Sequence, residues 1–207
     1  MPLGRAVVCT LPPRRASRAI PTPRDPMPPR TVVTTWLELA SPGDFRPPAA
    51  IPPDLTLAGP AFQSPELNRF FYTAIGGDWC WTDRLGWSYD DWSEWLSRPG
   101  HRTVILSVDG IPAGYAELSQ SADSSVEIGH FGLLPQWTGR GLGGAALALV
   151  VRHAWEMGAT RIVLNTCSLD HPHALENYRA RGFKVIRTAE SMREVPDTPP
   201  GPWPGAR

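Results

Sequence analysis

The sequence predicts an α/β layered fold on a mixed sheet, and three observations predict it. Hydrophobic patterning gives the order strand, two helices, three strands, glycine-rich turn, long helix, strand, helix, strand. Asp109-Gly110 separates two apolar runs, residues 103–108 and 111–118, and is a dipeptide that two-residue hairpin turns favour, so part of the sheet is antiparallel. Residues 126–157 then read as a buried strand, a glycine turn and an amphipathic helix in immediate succession.

At 207 residues the chain has the length of one domain with some extra, enough to bury a core. The formal charge is zero and the pI near 7, so the overall balance draws neither nucleic acid nor a membrane surface. Residues 1–30 hold six arginines against Asp25, which leaves the remainder at a net −5. They also hold eight prolines and almost no apolar periodicity, so burial cannot offset the entropy of ordering them. They read as a disordered N-terminal extension, with Met27 a candidate for the true start. Cys9, Cys80 and Cys167 are odd in number and scattered, which implies no disulfide framework and a reducing, cytoplasmic setting. No apolar run approaches the ~18 residues of a membrane span, and the apolar patch at residues 6–11 is too short for a secretory leader.

Residues 31–39, TVVTTWLEL, are β-branched and alternating and form the first strand, whereas the proline-rich residues 41–60 read as irregular. Ser64-Pro65-Glu66 supplies an N-cap, an N1 proline and a first-turn acid for a helix that stops at Gly76-Gly77. Six aromatic residues follow, from Trp79 to Trp95. Ser88 with Asp91 makes a capping box for a short helix to Leu96, in which Trp92 and Trp95 share a face and read as core. Trp79, Trp81 and Trp87 lie in a loop and read equally as core or as pocket wall. After the hairpin, a polar turn at residues 119–125 leads into the strand of residues 126–134, which Pro135 closes.

The turn begins at Gln136. Four of the six residues 139–144 are glycine, so the backbone can take positive φ and its N–H groups can converge on an anion. The following helix puts Leu142, Ala145, Ala146, Leu149, His153 and Met157 on one face and ends at Gly158. Its N-terminus points the positive end of the dipole into the turn, which suits a phosphate or pyrophosphate. A strand at residues 162–167, a helix from about Pro172 to Arg181 and a strand at residues 183–188 complete the order. Residues 190–207 contain five prolines and read as a loose tail.

Gly139, Gly141 and Gly144 formally satisfy the dinucleotide pattern G-x-G-x-x-G, but the next strand ends without an acid and antiparallel strands precede the turn. Gln136-x-x-Gly139-x-Gly141 instead matches the (Arg/Gln)-x-x-Gly-x-(Gly/Ala) turn of the GNAT superfamily of acyl-CoA-dependent N-acyltransferases. Downstream, Asn177-Tyr178-Arg179-Ala180-Arg181-Gly182-Phe183 is similar to that family's Tyr-x-x-x-Gly-Phe signature. The chain therefore resembles the family, most specifically over residues 104–187. The resemblance implies a mostly antiparallel sheet of about six to seven strands with helices on both faces, and direct transfer of an acetyl group from acetyl-CoA to a primary amine without a metal.

On that reading the amides of Thr138, Gly139, Arg140, Gly141, Leu142, Gly143 and Gly144 cradle the pyrophosphate, with Gln136 beside them. The resemblance makes Phe131, Gly132, Leu133 and Leu134 the segment that pairs with pantetheine and supplies an oxyanion amide. It places Glu127, six residues before Leu133, where histone acetyltransferases of the family carry a glutamate base. His130 and Glu117 stay open as alternatives, and strand alternation puts His130 on the face opposite Glu127 unless a bulge intervenes. Tyr178 matches the tyrosine near the CoA sulfur and is the candidate acid. The family often has an asparagine contacting CoA where this chain has His171, so His171 or Asn165 takes that contact. His171 and His173 alone lack the ligands of a metal site.

The expected organisation is an extension at residues 1–30, an acetyltransferase domain at residues 31–193 and a proline-rich tail at residues 194–207. The expected partners are acetyl-CoA and an amine acceptor, with no membrane or nucleic acid; a homodimer stays open. The rival functions are a non-catalytic acyl-CoA sensor and a dinucleotide-dependent oxidoreductase.

Overall fold

A computed structural model describes residues 28–59 and 63–202. Seven strands form one sheet: β1 (Pro29–Leu39), β2 (Leu55–Ala58), β3 (His101–Val108), β4 (Ile111–Gln120), β5 (Val126–Leu133), β6 (Ile162–Cys167) and β7 (Lys184–Glu194). The helices are α1 (Pro65–Gly76), α2 (Tyr89–Leu96), α3 (Gly143–Glu156) and α4 (Ala174–Ala180). The strand order is β2-β3-β4-β5-β6-β1-β7, and all neighbours are antiparallel except β5 and β6. This is the mixed sheet that the patterning predicts, with the mostly antiparallel order and the strand number that the resemblance implies.

Local chemistry fixes the element ends. Ser64 accepts from the Leu67 amide to cap α1, and Ser88 and Asp91 form the full capping box of α2. Asp109 and Gly110 both take positive φ, as the β3–β4 hairpin turn demands. Gly158, at φ 83°, stops α3. Gly182, at φ 99°, follows α4 where the Asp44 carbonyl leaves no room for a Cβ.

One core lies between the sheet and α3, where Leu37, Leu106, Leu118, Leu147 and Ile162 are fully buried. A second, smaller one joins α1 to the opposite face through Phe71, Ile75, Tyr115 and Leu134. The buried arc of α3 is wider than the predicted face. Leu147, Ala148, Val150 and Val151 are buried with Ala145 and Ala146, whereas Leu149 is half-buried and His153 is partly exposed.

Two segments are more ordered than expected. Leu55–Ala58, inside the stretch read as irregular, pairs with β3; four residues hemmed in by prolines are too short for alternation to register. Residues 190–194, read as loose tail, continue β7 along β1, with Thr31 opposite Met192. Beyond them Val195 is buried, Asp197 pairs with Arg30 at 2.7 Å, and the Gly201 amide donates to the Gly77 carbonyl. The pairing partner is about 160 residues away in sequence, so nothing local announces it. The extension expected at residues 1–30 lies mostly outside the described residues, although β1 already begins at Pro29. No described helix is long and apolar enough to cross a membrane.

Candidate active site

β5 and β6 pair over three positions, from Val126 opposite Ile162 to Ile128 opposite Leu164, and then part. The wedge between them is a cavity of about 720 Å³. His130, Phe131, Gly132 and Leu133 wall it on one side, and Asn165, Cys167 and Tyr178 on the other. The glycine turn closes one end. Loops before α2 and before α4 close the other.

The glycine end has the form of an anion site. Gly139 and Gly141 both have φ 76°, and a Cβ on either would meet no atom within 4 Å, so open space lies over the turn. Leu142, the N-cap of α3, offers no side-chain cap to the first-turn amides, which keeps the positive end of the helix available. Arg181 stands behind this turn and is not among the residues that line the cavity. Its Nε and Nη1 are buried without a hydrogen-bond partner, and Nη1 lies 3.4 Å from where a Gly144 Cβ would stand. Its unpaired charge adds from behind to the positive potential of the α3 N-terminus, which favours an anion over the turn. Thr138, Leu142, Gly143 and Gly144 line the same end. Leu134, Gln136 and Arg140 do not: Leu134 is buried in the α1 core, Gln136 is exposed, and the Arg140 guanidinium stands over the Trp137 ring at 5.1 Å.

The other end carries the titratable groups. Glu117 and His130 are opposite each other on β4 and β5, but Leu118 is opposite Ile128, so Gly129 is an extra residue in β5. Val126 and Ile128 before the bulge, and Phe131 and Leu133 after it, all pack on the α3 core. The bulge therefore turns His130 towards α1, onto the same face as Glu127. The rings of Trp81 and Tyr72 flank the His130 imidazole at 4.8 and 5.4 Å. Its Nδ1 lies 3.8 Å from Glu117 Oε2. Burial, reinforced by Arg84 and opposed by Glu117, pushes the imidazole down to about 4. His130 is thus neutral at pH 7. The carboxylate beside Nδ1 favours the tautomer with its proton there, leaving the Nε2 lone pair for the cavity.

Glu117 itself is fully engaged. Oε2 accepts from Arg84 Nη1 at 2.7 Å and from Trp95 Nε1 at 3.1 Å, and Oε1 accepts from Asn68 Nδ2 at 3.2 Å. Burial raises its proton affinity, but His130 and Arg84 outweigh that and hold the carboxyl below its usual value. Glu127 is exposed, opposite Ser119 and Val163, and does not reach the cavity. Tyr178 is buried and lines the cavity; burial, with the charge of Asp170, pushes its hydroxyl well above the ordinary value, so it stays protonated. Asn165 and His171 both line the cavity, and the His171 ring meets Trp79 edge-on at 5.1 Å.

Sequence reasoning did not find Arg84, Asn68 or Arg181. The loop tryptophans were the available signal for Arg84, because Trp87 and Trp95 stack on its guanidinium at 4.7 and 4.3 Å. Of the loop tryptophans left open, Trp79 and Trp81 wall the cavity and Trp87 wraps Arg84. Cys80 and Cys167, both free thiols, also open onto the cavity.

Residues 65–183 match the profile of the acetyltransferase (GNAT) family, more than half of the chain. Over 96 residues the chain is 31% identical to proteins described as uncharacterized N-acetyltransferases in Mycobacterium tuberculosis and Mycobacterium bovis, covering 46% of this chain and 61% of theirs. A GCN5-related N-acetyltransferase from Kribbella flavida superposes with a TM-score of 0.56 at 26% identity, covering 77% of this chain and 57% of that one. A spermidine N-acetyltransferase from Vibrio cholerae, solved with CoA and spermine, has a TM-score of 0.52 at 15% identity over 67% of this chain and 92% of its own, a likeness of fold alone. The family match spans α1 to the end of α4, the segment that supplies nearly every cavity wall, and the chain belongs to the acetyltransferase (GNAT) family.

Proposed function

We propose that the protein transfers an acetyl group from acetyl-CoA to a primary amine by direct attack inside the β5–β6 cavity. The observation that carries this reading is the pairing, in one cavity, of an anion cradle with a neutral imidazole and a protonated phenol. The turn amides hold the phosphates of the donor, with the Arg181 charge behind them, and the β5 backbone that β6 leaves uncovered receives the thioester arm and its carbonyl oxygen.

The acceptor arrives as an ammonium ion, and His130 Nε2 takes one proton from it. The freed amine attacks the thioester carbonyl carbon, the C–S bond breaks, and Tyr178 gives its proton to the departing sulfur. Tyr178 regains a proton from the second one the nitrogen sheds. The net products are an acetamide, CoA thiol and one proton, carried off by His130. Glu117 acts on this sequence only by orienting His130. Cytoplasmic acetyl-CoA is the donor pool this reading calls for.

The test is incubation with acetyl-CoA and a panel of primary amines, reading free CoA and acetylated product together by mass spectrometry. Binding of acetyl-CoA without turnover of any amine favours the non-catalytic sensor. His130→Ala is expected to lower kcat/KM by about 10²- to 10⁴-fold, while Glu127→Gln, off the cavity, leaves it unchanged. The reverse pattern returns the base role to Glu127. The acid limb of the kcat/KM profile that belongs to His130 should fall near pH 4 rather than near 6.5.

A further inference from the structure

The acceptor end of the cavity is built by two loops that meet. The loop between α1 and α2 contributes Trp79, Cys80, Trp81 and Asp83; the loop between β6 and α4 contributes Asp170 and His171. Trp79 and His171 touch across the gap. Trp81 lies on His130, and its position is fixed from below, because any Cβ on Gly76 would collide with its side chain. The walls are thus flat, aromatic and pre-set around the base.

The charges at this end are few and lopsided. Asp83, Asp170 and Arg193 are the formally charged side chains among the described cavity walls. Arg193 is already engaged, with Nη2 3.4 Å from Asp83 Oδ1. Asp170 is held in place, because Oδ2 takes hydrogen bonds from Thr166 Oγ1 at 2.7 Å and the Cys167 amide at 2.9 Å. The free surface around His130 therefore offers ring faces and negative charge, a combination that attracts a cation and repels an anion.

On the transferase reading, we infer that the acceptor is a small cationic amine with a flat apolar body and no carboxylate beside the reacting nitrogen. The ammonium is drawn to Asp83, Asp170 and the π faces, and the body lies against Trp79 and Trp81. A carboxylate on the adjacent carbon would sit among the same acids, with its one available cation taken by Asp83. The size limit follows from the cavity, whose roughly 720 Å³ must also admit the donor's thioester arm.

The experiment compares amines that differ only in that carboxylate: 2-phenylethylamine against phenylalanine, and tryptamine against tryptophan, each with acetyl-CoA and the full-length protein. The decarboxylated member of each pair should have a kcat/KM at least about tenfold higher. Asp83→Asn should raise KM for 2-phenylethylamine by about two- to fivefold, the scale of one charge contact to an exposed carboxylate. It should also free Arg193, so phenylalanine improves and the ratio between the two narrows, with the acetyl-CoA Kd unchanged. General destabilisation lowers both substrates together and cannot produce that crossover. Equal or better turnover of the amino acids by the wild type, or a ratio that Asp83→Asn does not move, overturns the inference while leaving the transferase reading intact. Acetylation confined to peptide amines overturns it as well. Failure to bind acetyl-CoA at all removes the transferase reading beneath it.

Discussion

Arg84 and Arg181 both bury guanidinium atoms, and only Arg84 meets a carboxylate there. The Arg84–Glu117 pair is of the kind whose desolvation is repaid only with further hydrogen bonds, and Asn68 and Trp95 each donate one to the carboxylate. Arg181 has no such company: Nε and Nη1 stand unbonded next to the positive end of α3. On the transferase reading, its retention is a cost in the free protein and a gain once a donor phosphate binds. Replacing it should therefore move two measurements in opposite directions. Arg181→Met is expected to raise the melting temperature of the ligand-free protein by a few degrees, since an apolar chain of similar volume replaces an unpaired charge. The same change should weaken acetyl-CoA binding by about ten- to a hundredfold in isothermal titration. A packing role alone would lower both.

At the scale of the element, β5 shows that a strand can be set by residue number as well as residue type. The extra residue at Gly129 reverses which side chains face α1, and that reversal brings His130 to the cavity. Glycine as such is not required there: φ is ordinary, and a Cβ would meet the Glu117 carbonyl oxygen at a comfortable 3.9 Å. Gly132 is the opposite case, because a Cβ there would strike Ile75 Cγ2 and drive α1 off the strand. Gly129→Ala should accordingly keep both stability and turnover, whereas Gly132→Ala should lose about 1–3 kcal/mol. Urea unfolding of the two variants checks this. Equal losses would mean that the bulge depends on its glycine.

Across the whole molecule, the C-terminal segment ties the acceptor loop to the far edge of the sheet. Arg193 reaches Asp83, Asp197 pairs with Arg30, and the Gly201 amide bonds the Gly77 carbonyl at the root of the tryptophan loop. Truncation after Glu194 should loosen that loop and raise the amine KM several-fold, with acetyl-CoA affinity preserved because the glycine turn lies at the other end. Parallel titrations of both substrates measure the split. That segment also marks where the sequence stops being legible. Ser64, Ser88, Asp109-Gly110 and the glycine turn act through neighbours in the chain and announce themselves. The bulge at Gly129, the Arg84–Glu117 pairing and the Gly77–Gly201 contact join residues brought together only by the sheet, and no local pattern encodes them. The glycine turn, one continuous segment, was therefore readable as a turn, whereas Arg181 behind it was not. The acceptor end, assembled from α1, two loops and β7, was not.

Both cysteines among the described residues, Cys80 and Cys167, face the cavity, and this bears on how the proposed transferase activity is best assayed. A disulfide dye added to count liberated CoA can exchange with these two thiols as well, leaving a bulky aryl group against Trp81 or Tyr178. Burial raises both thiol pKa values, which slows the exchange without preventing it. Colour development should therefore follow quenching of the reaction, because a continuous trace would record gradual poisoning of the catalyst as product inhibition.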